Sequence, residues 1–545
     1  MQREVIKANI IVFIASFCTL VIELVAGRIM APYVGVSLYT WTSIIGVVLA
    51  GISIGAYLGG RIADRYPRSS TLGWLLFLSG LGAFSISPLT NLIGGAQFQT
   101  SLMTRILLVT TIIFFVPSCL LGMISPVVVK LTLNNLEKTG NIVGKIYAFS
   151  TLGSILGTFA TGFYLISWMG TRYILLTMGI ILILSALVFG GFFRSKRTLA
   201  LFFLFLFLSA LLPLVGLHVY AATNPEDFSF PTSPIESIKR MVGYAFKSSL
   251  EEETYFFKES DYYTIKLKKS IRGNNGNPLE SLVLDHLVHS YTDLEDPLYI
   301  EYEYIRMYEE MVRWQARKRE SLKALFLGGG GYTFPRFIEA KYPKAEIDVV
   351  EIDPEITRVV RKYLGVSENS KIRSFNEDGR WFVMNCKEKG TYDFIFGDAF
   401  NDLSIPYHLT TKEFAMQLKS LLKPDGLLLA NVIDSFKKGA FMPSYIRTLE
   451  EVFGKGNVHL MTLTSDYDRI GISTCVVVAS PHKLDMDDFV KKVKGKGGEM
   501  TSHVIPQDRL QEYLKDRSSV ILTDDYVPVD NLIAPIFEER FGYRQ

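Results

Sequence analysis

Ala324-Leu325-Phe326-Leu327-Gly328-Gly329-Gly330-Gly331, then Ile347-Asp348-Val349-Val350-Glu351-Ile352-Asp353, then Tyr392-Asp393-Phe394-Ile395-Phe396-Gly397-Asp398 decide the fold of the second half of this chain. The order predicts a strand, a glycine loop, a helix, a second strand ending in an acid, and a later strand ending in an acid. In an open parallel sheet, ligands sit beyond the carboxyl ends of the strands. Gly328, Gly329, Gly330, Gly331, Glu351 and Asp398 would share that edge. Glycines let the backbone turn sharply and approach a ligand closely. An acid after the second strand can accept hydrogen bonds from both ribose hydroxyls. Four glycines alone make an ordinary turn; with Glu351 at this distance they describe a site for a nucleoside-bearing ligand, a dinucleotide or an S-adenosyl compound.

Outward from that stretch, composition sets the bounds. At 545 residues the chain exceeds one ordinary domain. Hydrophobic residues make up 49% and the mean hydropathy is +0.24, which points to a membrane protein. A formal charge of +3 is too small to suggest nucleic acid as a partner. The four cysteines and seven histidines form no CxxC or Cys/His cluster, so neither a metal site nor a disulfide framework is indicated.

Residues 1–220 hold seven apolar runs long enough to span a bilayer, at 8–31, 40–60, 72–94, 105–126, 143–168, 172–193 and 199–220. Gly51, Gly55 and Gly59 recur every fourth residue in the second run, and Gly153 and Gly157 in the fifth, which predicts close helix packing. Glu23 and Arg28 are the unusual residues of the first run. Five positions are about 140° of helix rotation, so the two do not face each other. Arg28 can reach the membrane interface, and Glu23 needs a polar partner or carries a substrate or ion role. Basic residues concentrate on one side of the spans, which places the N-terminus in the cytoplasm. An odd number of crossings then puts the polar half outside, whereas S-adenosyl compounds are made inside. One re-entrant run would remove the conflict; Pro117 and Pro126 make the fourth the candidate.

Residues 221–253 read as a linker, with Pro225, Pro231 and Pro234 and an amphipathic stretch from Ile235 to Phe246. Residues 254–320 read as a small β unit and a lead-in helix: strands at Tyr255-Phe256, Tyr262 to Leu267 and Leu282 to Asp285, a turn at Arg272 to Gly276, and a helix from Glu301 to Arg313. Within 321–545, Phe414 to Leu422 reads as a helix stopped by Lys423-Pro424-Asp425-Gly426. Leu427 to Val432 reads as an apolar strand, and Val458 to Leu463 with Cys475 to Ala479 as a closing hairpin. Residues 483–499 read as a lysine-rich solvated helix face.

Glu259 to Ile265, Leu282 to Asp285, the glycine loop, Glu351-Ile352-Asp353, Asp378-Gly379 and Gly397-Asp398 together resemble the spermidine synthases, the polyamine aminopropyltransferases, over about residues 254 to 480. Within them the chain resembles the branch fused to an N-terminal multi-span membrane domain, as does Leu522 to Asp530. The resemblance implies a membrane helical bundle, then a small β unit and a Rossmann-like, methyltransferase-type α/β sheet. It implies that Glu351 holds the ribose, that Asp378 and Gly379 bind adenine with Pro406 flanking it, and that Asp398 accepts the proton. Tyr299 matches an active-site tyrosine and Glu301 follows it as in the family pattern. The implied co-substrate is decarboxylated S-adenosylmethionine or S-adenosylmethionine, with no permanently bound cofactor. Implied partners are membrane lipid, a small amine or polyamine, and a second copy of the chain.

The chemistry suits these residue types. An ammonium has no lone pair, so an attacking amine needs a nearby carboxylate to take its proton. Acids also attract a polycation. Asp398 and Asp402 are the acids placed for this. Departures fall on the amine side: Gly331 stands where the family carries the acid that holds the transferred group's amine, Tyr262 or Tyr263 where it carries glutamine, and Ile300 after the active-site tyrosine. Two alternatives therefore stay open: a methyltransferase on the same fold, and a transport or sensing protein that binds a nucleoside or polyamine without chemistry.

Overall fold

The structure, a computed structural model, describes residues 2–34, 38–93, 102–133, 139–191, 254–285, 287–317, 319, 321–399, 405–466, 470–494 and 500–541. The chain divides into two compact units, Met1–Glu251 and Glu252–Gln545. The apolar run 199–220, the linker and its amphipathic stretch lie outside the described residues.

The first unit is a bundle of helices Gln2–Val34 (α1), Leu38–Arg65 (α2), Ser69–Ile93 (α3), Leu102–Thr132 (α4), Thr139–Ala160 (α5) and Ile166–Phe189 (α6). Six helices among the described residues are long and apolar enough to cross a membrane. A π-helical turn, Thr161–Leu165, joins α5 to α6, and the chain bends at Gly170, whose φ is +73°. The fourth apolar run is a continuous helix with Pro117 and Pro126 inside it, not a re-entrant hairpin. Glu23 and Arg28 are both half-buried in α1.

The small residues bring backbones together, as their spacing predicts. A Cβ on Gly55 would lie 2.1 Å from the Cys119 carbonyl oxygen of α4, and one on Gly59 2.6 Å from Met123. Gly153 and Gly157 of α5 press in the same way on Phe13 and Phe17 of α1. Gly60 on α2 faces open space. Gly55→Leu is therefore expected to lower the thermal unfolding temperature of the purified full chain by the equivalent of about 1–3 kcal/mol of overpacking. Gly60→Leu should leave it unchanged, and equal melting of the two variants would show that the α2–α4 approach does not hold the bundle.

The second unit holds two sheets. Strands Thr254–Glu259 (β1), Thr264–Arg272 (β2), Pro278–Leu284 (β3) and Leu287–Asp293 (β4) form an antiparallel sheet in sequence order. The turn at Arg272 to Gly276 falls between β2 and β3 as expected; β4, which the sequence reading lacks, completes the sheet. Helix Glu303–Ala316 (α7) leads into the larger sheet. Its strands are Lys323–Leu327 (β5), Glu346–Val350 (β6), Arg373–Phe375 (β7), Tyr392–Gly397 (β8), Leu422–Ser435 (β9), Val458–Thr462 (β10), Ile472–Ala479 (β11) and His503–Val504 (β12). The order is β12-β10-β11-β9-β8-β5-β6-β7. Strands β9, β8, β5, β6 and β7 run parallel; β11, β10 and β12 run antiparallel beside them.

Helices Thr333–Lys341 (α8) and Pro354–Tyr363 (α9) follow β5 and β6, and Gly379–Asn385 (α10) follows β7. Lys412–Leu421 (α11) feeds directly into β9, so Lys423-Pro424-Asp425-Gly426 does not separate helix from strand. It bulges within β9 instead: Tyr392 pairs with Leu422 while Phe394 pairs with Leu427. Met486–Lys494 (α12) carries the lysine-rich face outward while Phe489 and Val493 are buried. Both sheets share one apolar core, in which Ile265 and Leu282 of the small sheet join Tyr308, Phe326, Phe394 and Phe396. Burying each large side chain contributes about 1.5–3 kcal/mol, so the small sheet is fixed against the large one by the same force that folds each.

Candidate active site

Strand order reverses between β5 and β8: the chain winds from β5 to β6 and β7 on one side, and from β8 to β9 on the other. A crevice opens at such a switch point. Gly328 follows β5 and Asp398 follows β8, and Asp398 N–H donates to the Leu327 carbonyl (2.9 Å). Gly328 has φ +95°, and a Cβ there would sit 2.2 Å from the Asp398 carbonyl oxygen, so only glycine lets these two strand ends meet. Gly330, at φ +48°, faces open space.

Two adjoining cavities, of about 190 and 180 Å³, occupy this edge. The first is lined by Glu351, Asp378, Gly379, Pro406 and the glycine loop, with Tyr263 over it. The second lies on the β9 side, under β4 and α7. Gly328, Gly330, His289 and Asp398 line both. The expected nucleoside residues are thus brought together, and Asp398 stands at the junction.

Glu351 is 5% exposed. Its Oε2 accepts from Gly329 N–H (2.9 Å) and its Oε1 from Asp353 N–H (2.9 Å). Burial pushes its carboxyl above the usual range, against the pull of these backbone donors. The carboxylate therefore shapes the glycine loop and keeps lone pairs for hydroxyls in the cavity. Asp378 caps α10: its Oδ1 accepts from Arg380 and Trp381 N–H, and its Oδ2 meets His408 Nε2 at 2.8 Å. Arg380 is clamped by both oxygens of Asp524 (2.7 and 2.5 Å), which ties the segment Leu522 to Asp530 to this wall.

Asp398 is held from two sides. Tyr304 O–H donates to its Oδ2 (2.9 Å) and Asn431 Nδ2 to its Oδ1 (2.9 Å). Burial raises its pKa above the ordinary carboxylate value, and these two hydrogen bonds pull it back. The group is thus a stronger base than a solvated aspartate, the property a proton acceptor for an amine needs.

The tyrosine matched in sequence is elsewhere. Tyr299 O–H donates to Glu301 and its oxygen accepts from Asn274 N–H (2.8 Å), so the pair braces the turn between β2 and β3. Neither residue lines either cavity. Tyr304, in the first turn of α7, takes the place beside Asp398, with Tyr302 and Tyr308 also on the wall. Asn431 was legible in principle: Gly397 pairs with Ala430 across β8 and β9, so the next residue on each strand is Asp398 and Asn431. Gly331 lines the second cavity, and a Cβ there would lie 1.9 Å from Ser290 Oγ of β4. Asp402 lies outside the described residues. Among the described residues no group of three or more His, Cys, Asp or Glu could hold a metal ion.

Residues 306–482 match the family model described as "Spermine/spermidine synthase domain". The chain is 37% identical over 116 residues to the polyamine aminopropyltransferase of Vibrio vulnificus, a match covering 21% of this chain and 39% of that protein. It is 25% identical over 498 residues to polyamine aminopropyltransferase 2 of Aquifex aeolicus, covering 89% of each. That match is longer than the second unit alone can supply, so it takes in helical residues as well. The probable spermidine synthase of Corynebacterium glutamicum aligns with a TM-score of 0.44 at 20% identity, covering 49% of this chain and 95% of that one.

Proposed function

We propose that this chain, whose residues 306–482 match the spermine/spermidine synthase domain, is a membrane-embedded transferase moving an aminopropyl group from decarboxylated S-adenosylmethionine to an amine. The observation that carries the reading is Asp398 at the meeting point of two cavities, held by Tyr304 and Asn431. The adenosine of the donor occupies the cavity with Glu351, its ribose against that carboxylate and its adenine near Asp378, Gly379 and Pro406. The amine occupies the other cavity. Its nitrogen lone pair forms the new C–N bond at the carbon beside the sulfonium. The C–S bond breaks with its electron pair going to sulfur, and methylthioadenosine leaves. Asp398 takes the proton that the amine sheds. Positioning of the two reactants supplies the rest of the acceleration. Six helices among the described residues are long and apolar enough to cross a membrane, which supports the membrane-embedded reading.

The test is the product. Purified full chain is incubated with labelled decarboxylated S-adenosylmethionine and amines, and separately with ordinary S-adenosylmethionine. Methylthioadenosine supports aminopropyl transfer, S-adenosylhomocysteine a methyltransferase, and neither product a binding or transport protein.

The hydrogen bond from Tyr304 gives a pH signature. Asp398 acts as the carboxylate, so kcat/KM rises with pH through its pKa. Burial raises that pKa and the Tyr304 bond lowers it. Tyr304→Phe removes the lowering part, so the acid limb of the profile is expected to move to higher pH, with the largest loss of activity on the acid side. A limb that stays in place would remove Tyr304 from this role.

A further inference from the structure

Gly331 ends the glycine loop against β4. Gly328 and Gly330 line both cavities, whereas Gly331 and Ser290 line the second and not the first. Ser290 stands on β4 opposite Leu282 of β3 and is 2% exposed. Its Oγ is buried and has no hydrogen-bond partner among the described residues. A Cβ at position 331 would lie 1.9 Å from that oxygen. The hydroxyl thus takes the space that a side chain at 331 would need. Thr333, the next hydroxyl along this wall, is already engaged: its Oγ1 lies 3.2 Å from Thr292 Oγ1 and donates to the Tyr291 carbonyl at 3.4 Å.

A buried hydroxyl without a partner is costly, and native structures rarely leave one. Aminopropyl transfer brings two nitrogens to this cavity, that of the attacking amine and that at the end of the transferred group. The attacking amine must reach Asp398, which Tyr304 and Asn431 hold. Tyr308, its ring 5.6 Å from that of Tyr304, belongs to the same wall, and Thr474 pairs with Ile433 on β9. The other nitrogen hangs from a donor whose ribose carboxylate, Glu351, is bonded to Gly329 of the loop. A chain leaving the junction on the donor's side passes along that loop toward Gly331. The Ser290 oxygen stands at that end, with two lone pairs to offer an ammonium.

We infer that Ser290 is a donor-specificity residue: its Oγ accepts a hydrogen bond from the terminal nitrogen of the aminopropyl group, which lies along the glycine loop. This rests on the transfer reading above and divides the second cavity, the loop side for the donor's arm and the β9 side for the attacking amine. Gly331 is then required for reasons of space, since any Cβ there would push the Ser290 oxygen out of place.

The test is equilibrium binding of three ligands to the purified full chain: decarboxylated S-adenosylmethionine, its desamino analogue with a propyl group in place of aminopropyl, and methylthioadenosine. The first two carry the same sulfonium and differ in the terminal nitrogen alone. The unmodified protein is expected to bind the first about tenfold or more tighter than the second, the worth of one hydrogen bond to a charged group. Ser290→Ala should bring the two close to equality and leave the affinity for methylthioadenosine unchanged. Gly331→Ala, whose Cβ displaces the hydroxyl, should do the same, and it decides the matter if Ser290→Ala does not fold. Ser281→Ala, on β3 and bonded to the Lys268 carbonyl, should keep the preference. A preference that survives in Ser290→Ala, or that the unmodified protein lacks, overturns the inference and leaves aminopropyl transfer standing. Equal weakening of decarboxylated S-adenosylmethionine and methylthioadenosine also overturns it, because Ser290 would then only support the loop. No methylthioadenosine released by the unmodified protein with any amine overturns both readings.

Discussion

Asp398→Asn is expected to lower kcat by about a hundred- to ten-thousand-fold, the usual worth of a positioned general base, while methylthioadenosine still binds with nearly unchanged affinity. The asparagine keeps the side-chain volume and one oxygen that can accept from Tyr304 or Asn431. What it loses is the capacity to take a proton at neutral pH. Asp398 also lines the cavity that holds Glu351 and Asp378, but the proposed ribose and adenine contacts are made by those two residues, which this substitution leaves in place. Two measurements check the expectation: methylthioadenosine release at saturating substrates, and equilibrium binding of methylthioadenosine to the variant. Equal loss of both would mean that Asp398 merely holds the ends of β5 and β8 together.

Glu351→Ala is expected to act in the opposite sense, weakening nucleoside binding by roughly ten- to a hundred-fold and reducing kcat at saturating donor much less. Hydrogen bonds to a charged group contribute about 1.5–3 kcal/mol each, and about 1.4 kcal/mol is a factor of ten. Beyond the ribose contacts, alanine also strips the acceptor from Gly329 N–H and Asp353 N–H, so the glycine loop loses its brace. Glu351→Gln, which keeps one acceptor, should fall between the two. Unchanged affinity in the alanine variant would refute the ribose role. The contrast between these variants, one losing turnover and the other binding, separates chemistry from recognition at a single strand edge.

The sequence determined the elements that depend on local pattern. Six of the seven apolar runs are helices among the described residues, since a helix satisfies its backbone polar groups within its own segment. The strand-glycine-strand pattern fixed the loop, since Gly328 needs φ +95° and bare backbone beside Asp398. Strand ends at Glu351 and Asp398 followed from apolar runs that stop at an acid.

Tertiary structure decided which side chains meet. Tyr304 and Asp398 are 94 residues apart, and Ser290 reaches Gly331 from another sheet. Tyr299 and Tyr304 differ by five positions in sequence, yet one braces a turn and the other donates to Asp398. Periodicity cannot tell them apart, because both contacts are set by how α7 and β4 dock on the large sheet. That docking is driven by burial of a shared core, which is non-directional and leaves no local signature. A chain records its own turns and faces in its residue order; the partners those faces acquire are chosen only when the apolar surfaces close together.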